Sequence, residues 1–207
     1  MYRLNRLNRL VLGFLSVALF SAPEVWAQST DHTVQVGAQL ATVASGQFDS
    51  TDVGVGGRLS WHPVSLLGLE GEFNFFPSDF PDTPAFSASR TEGLFGATVG
   101  PRLGALRPFA KFRPGFVSFS EAPEPFACIL IFPPPLNCAM AAGQTLFALD
   151  IGGGVEFFPS SGTFLRLDVG DRAIRYPSPT IDSEGTVHDE SFFGHDFRFT
   201  VGGGLKF

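Results

Sequence analysis

Apolar side chains recur at every second position through most of this chain. Val34, Val36, Ala38 and Leu40 share one parity, opposite Gln35, Gly37, Gln39 and Ala41. The next run sets Val53, Val55, Gly57, Leu59 and Trp61 against Gly54, Gly56, Arg58, Ser60 and His62. Leu67, Leu69, Gly71, Phe73 and Phe75 then oppose Glu70, Glu72 and Asn74, and Phe95, Ala97 and Val99 group together within 91–100. A fifth segment, 107–120, is disturbed by Pro108 and Pro114, because proline cannot donate to a strand ladder. Alternation returns in Phe147, Leu149, Ile151, Gly153, Val155 and Phe157, in Leu165, Leu167 and Val169, and in Phe197, Phe199 and Val201. Period two is the signature of a strand with one apolar face. The pattern predicts eight strands, and no long segment beyond the N-terminal region carries the spacing of an amphipathic helix.

The connections decide where the apolar face points. Links after strands two, four and six are short, near 62–66, 100–106 and 158–162, whereas those after strands one, three, five and seven are long, near 45–52, 77–90, 121–145 and 171–191. Short turns on one rim, long loops on the other and an even strand count mark an outer-membrane barrel. The expected fold is all-β: an eight-stranded antiparallel transmembrane up-and-down β-barrel with short periplasmic turns and long extracellular loops. Its apolar face meets lipid, and Trp61, Phe75, Phe76, Phe157 and Phe158 are expected at the interfaces, where aromatic girdles form.

The opposite face then lines a lumen that carries Arg58, Lys111, Arg113, Arg166 and Arg198 against Glu70, Glu72, Asp150, Glu156, Asp168 and Asp196. The interior of an eight-stranded barrel is only wide enough for side chains to fill. Buried charges are tolerated when paired and hydrogen-bonded, so these residues are expected to pair and plug the barrel. Glycines 152, 154, 202 and 204 relieve crowding on that inner face.

Composition and charge narrow the picture further. Arg3, Arg6 and Arg9 precede an apolar run from Leu10 to Phe20, followed by Val25-Trp26-Ala27. This is the layout of a signal peptide cleaved after residue 27, and the run is well short of the ~20 residues that span a bilayer. The domain plan is therefore a signal peptide at 1–27 and one barrel domain at 28–207. The net charge of −6 becomes more negative once three arginines leave with the signal peptide. Nucleic acid, which wants a basic face, is excluded as a partner. Cys128 and Cys138 are expected to form a disulfide in an exported protein, closing an apolar, proline-rich loop against a partner, the barrel mouth or lipid.

The signal peptide, the eight alternating segments and the terminal aromatic together resemble the outer-membrane β-barrel family of Gram-negative bacteria, in its small eight-stranded group, over about 28–207. In that family the final strand is read by the barrel assembly machinery. The resemblance implies that Phe199, Val201, Leu205 and Phe207 form this signal, with Gly203 a departure from an apolar residue. It also implies residence in the outer membrane, with outer-membrane lipid, the assembly machinery and an extracellular ligand held by the loops as partners. The family includes anchors, adhesins, immune-evasion proteins, narrow pores and some lipid-modifying enzymes, so its functional implication is loose.

Candidate chemistry is sparse. Ser60 and His62 share a strand face two residues apart, as a nucleophile and base could, but any alternating strand produces that spacing. None of the four histidines has a serine two residues later, the pair that lipid A deacylase barrels carry. His188, Asp182, Glu184 and Glu190 form an acidic loop without the ligand order of a calcium loop. Gly152-Gly153-Gly154 and Gly202-Gly203-Gly204 lie within strands with no helix to receive a phosphate. No catalytic, cofactor or metal set is expected. The leading expectation is a non-enzymatic barrel that serves envelope structure or surface interaction. A narrow pore and a lipid-modifying enzyme stand as alternatives, and a soluble lipocalin-type barrel conflicts with the terminal phenylalanine and the missing Gly-x-Trp.

Overall fold

The computed structural model describes residues 32–48, 50–77, 89–121, 132–182 and 184–207. The predicted signal peptide and Cys128 lie outside these residues. Eight long strands run as β1 (Thr33–Ser45), β2 (Ser50–Val64), β3 (Leu67–Phe76), β4 (Arg90–Val99), β5 (Leu106–Phe119), β6 (Gln144–Phe157), β7 (Thr163–Tyr176) and β10 (Phe192–Lys206). A helix, α1 (Leu136–Ala141), precedes β6, and a two-stranded hairpin, β8 (Thr180–Ile181) with β9 (Val187–His188), lies between β7 and β10. Every neighbouring pair of long strands is antiparallel, and β10 pairs with β1 to close the barrel. Val34 and Phe207 exchange backbone hydrogen bonds of 3.0 and 2.8 Å, so the chain is zipped through its last residue.

Alternation survives closure because one-residue slips would flip every side chain to the other face. The outer face exposes Val36, Leu40, Leu59, Phe73, Phe95, Phe112, Ile151, Leu167 and Val201, while Gln39, Arg58, Glu72, Arg113, Asp150 and Arg198 are buried inside. The apolar exterior gives way towards the long-loop end to Ser118 and Thr145, whose hydroxyls hydrogen-bond at 2.8 Å, and to Asp171 with His195 at 2.7 Å.

The structure departs from the sequence pattern at three places. First, β5 is continuous: Pro108 and Pro114 keep their places opposite Val155 and Leu149 of β6, while the ladder to β4 keeps Leu94↔Gly115 and Ala97↔Phe112 in one register and skips the residues around Pro114. Second, β7 runs on to Tyr176, where Arg172 turns inwards and Asp171 outwards. Charges on both parities hid this stretch from the alternation rule. Third, Phe76 and Phe158 are only 2% and 7% exposed and point inside, whereas Phe75 and Phe157 lie outside at 44% and 42%. Adjacent strand residues cannot both join a girdle.

Candidate functional site: a charged lumen beneath an apolar cap

The middle of the lumen is a continuous ion-pair network. Glu72 accepts hydrogen bonds from Arg58 and Arg113, each at 2.6 Å, and contacts Arg198; Asn74 donates to it at 2.7 Å. Asp168 sits among Lys111 at 2.6 Å, Arg166 at 2.8 Å and Arg58 at 3.1 Å. Asp150 takes Lys111 at 3.0 Å, the Nε of Arg113 at 2.9 Å and Arg198 at 3.5 Å. Glu70 holds Arg166 at 2.7 Å and Arg113 at 2.9 Å, and Glu156 binds Arg166 at 3.0 Å. All eleven lumen charges expected from the sequence lie inside the barrel and are brought together.

Three further members were missed. Arg107 pairs with Glu156 at 3.1 Å, and Arg172 bridges Glu92 at 2.8 Å and Asp196 at 2.6 Å. Arg198 reaches Glu92 at 3.0 Å, tying this group to the rest. Arg107 and Glu92 sit near strand ends, and Arg172 lies in the part of β7 read as loop. Their inward parity was the available signal. With them the network holds seven bases and seven acids, Arg58, Arg107, Lys111, Arg113, Arg166, Arg172 and Arg198 against Glu70, Glu72, Glu92, Asp150, Glu156, Asp168 and Asp196. This balance suits a site where an unpaired charge is costly. A separate pair, Arg90 with Asp52, stands nearer the loops.

Aromatic rings pack beneath the network. The guanidinium of Arg166 lies 4.1 Å from the centroid of the Phe109 ring, a cation–π contact. Gly154 makes room there, since a Cβ would come within 2.8 Å of the Phe109 ring.

Above the network the lumen turns apolar. Leu94, Val117, Phe119, Leu146, Ala148, Ile174 and Tyr176 from the strands enclose Phe48 from the β1–β2 link and Leu136 and Met140 from α1. The α1 segment thus sits over the barrel mouth; of the apolar stretch between the two cysteines, Leu136 is seated there, and residues 128–131 lie outside the described residues. Ile181 donates its backbone N–H to Pro134 at 3.0 Å, which joins the β8–β9 hairpin to that segment. Phe192 stacks on His188 at 3.7 Å and packs on Tyr176 at 5.5 Å. Cys138 lies on α1, half-buried.

Within the hairpin, His188 contacts the Asp182 carboxylate at 2.8 Å, and the N–H groups of Thr186 and Glu184 donate to it at 2.8 and 3.0 Å. The His188 bond, aided by these two, holds Asp182 below the usual carboxylate range. Ser60 and His62 make no hydrogen bond to each other. Phe199, Val201 and Leu205 face outwards on β10 and Phe207 is exposed just past its end, with Gly203 between Val201 and Leu205.

The family model for the outer membrane protein beta-barrel domain matches residues 12–202. The fold is similar to that of the outer membrane protein OprG from Pseudomonas aeruginosa, with 12% identity, a TM-score of 0.52, and coverage of 86% of this chain and 97% of that one. It is also similar to Neisserial surface protein A, with 15% identity, a TM-score of 0.50, and coverage of 85% and 97%. Comparison with curated protein sequences finds no match.

Proposed function

The chain belongs to the outer membrane protein beta-barrel family, and from that premise we propose a closed, non-conducting outer-membrane barrel that acts through its bulk in the envelope and its capped extracellular loops. The observation that carries this reading is the double filling of the lumen: a balanced ion-pair network across its middle and an apolar plug above it. Water and solutes would have to displace both.

Surface contact would fall to the cap, where Phe132 and Val187 are exposed beside the buried Leu136 and Met140. A Cys128–Cys138 disulfide would tether the segment that carries Phe132 to α1. Phe199, Val201, Leu205 and Phe207 would be read by the barrel assembly machinery before they meet lipid.

Planar-bilayer recording of the refolded protein tests the closed state. The expected result is silence at high protein load; discrete, reproducible conductance steps would replace the reading with a narrow pore.

A further inference from the structure

The periplasmic end of the lumen differs from both regions above it. A cavity of about 100 Å³ opens there, lined by Gln35, His62, Ser65, Arg102, Arg107 and Lys206, with Phe158 at its side. Among the described residues, three cations and no carboxylate side chain line this small space. Arg107 spends Nη1 on Glu156 at 3.1 Å and Nη2 on Thr98 at 3.4 Å, which leaves its Nε without a partner among the described residues. His62 is 5% exposed and Gln35 is 3% exposed, yet both ring nitrogens of His62 and Oε1 of Gln35 also lack partners. Buried polar groups are ordinarily hydrogen-bonded, so such a cluster calls for an explanation.

We propose that this pocket binds one phosphate group. Its volume corresponds to about three waters by the share of liquid volume each takes, room for a single tetrahedral oxyanion. Guanidinium and ammonium groups are the natural donors to such an anion. Their positions are already set: Arg102 lies 4.5 Å and Lys206 5.6 Å from the centroid of the Phe158 ring, where cation–π attraction holds them at the mouth. His62 adds a ring N–H donor deeper inside, and the Gln35 Oε1 can accept from the protonated oxygen of a hydrogen phosphate. Free periplasmic phosphate and the headgroup phosphate of an inner-leaflet phospholipid share this chemistry. The proposal does not depend on whether the barrel conducts.

The test is a titration of the full-length, refolded protein in a non-phosphate detergent with inorganic phosphate, followed by calorimetry and by ³¹P line broadening. One saturable site is expected. Combining Arg102→Gln with Lys206→Gln should weaken it at least ~10-fold, the scale of losing charge-assisted hydrogen bonds. Cold-SDS mobility would verify that this variant remains folded. His62→Leu, read in the same way, gives a second and independent loss if the double variant does not fold. Displacement of phosphate by a short-chain phosphatidylglycerol would assign the site to a headgroup; failure to displace it would assign the site to the free ion. Absence of saturable phosphate binding, unchanged affinity in the folded variants, or equal competition by acetate would overturn the proposal.

Discussion

The middle of the lumen and its cap fill the same barrel by opposite means. Seven of the eight long strands contribute charges to the middle, and only β1 contributes none, supplying Gln35, Gln39, Ala41 and Val43 to the interior instead. The cap takes its apolar residues from strand ends and from connections, with Phe48, Leu136 and Met140 inserted from outside the barrel wall. The middle is therefore fixed by strand register: the carboxylates of Glu72 and Asp150 each serve three cations, and that of Asp168 serves four. Removing any one member unbalances the seven bases and seven acids inside the barrel. The cap depends on volume and can relax, because Phe48, Leu136 and Met140 are not held in the ladder.

The sharpest way to break this comparison is Glu72→Ala, which leaves Arg58, Arg113 and Arg198 facing a missing partner. Removing one side of a buried ion pair costs about 3–5 kcal/mol, so this variant should show the largest drop in urea midpoint of the folded barrel in vesicles. Next comes the outer surface, where Leu167 sits between Val155 and Val201 on adjoining strands. Leu167→Arg should cost about 2–4 kcal/mol if it lies near the midplane, and unchanged barrel yield would contradict the assigned facing.

Met140→Ala should be milder, at the lower end of the range for core truncation, about 2 kcal/mol, because α1 can settle into the space. Planar-bilayer recordings sharpen the same contrast. Loosening the cap alone should leave the barrel silent, since the charged layer below remains intact.

The smallest effect is expected in the β8–β9 hairpin. Asp182 is held below the usual carboxylate range by His188 and two backbone N–H groups, so its contribution is present at neutral pH and is lost as pH falls through that depressed value. The amide resonances of Thr186 and Glu184 should shift together in that acidic window, while cold-SDS mobility of the barrel stays unchanged.

What the sequence by itself determined is what period two can carry: eight strands, the lipid face, the inward parity of Arg58, Glu72, Arg113 and Arg198, and the alternation of short and long links. Side-chain facing is a local property of a strand, so it was legible without any partner. The inward turn of Phe76 and Phe158 follows from the same rule, once strict alternation takes precedence over their aromatic character. Arg172 was harder to place, because Asp171 beside it faces out in the polar stretch above the apolar band and the strand signal fades there.

Only the tertiary structure decided which charges meet. Arg198 and Glu72 are 126 positions apart and Arg58 and Asp168 are 110 apart, and their contact depends on the stagger that closes the barrel. The same closure set the exact balance of seven bases with seven acids by drawing in Arg107, Glu92 and Arg172. It also left the cavity at the periplasmic mouth and seated Phe48, Leu136 and Met140 over the lumen. These contacts join segments distant in the chain, and no local period encodes the register that brings them together.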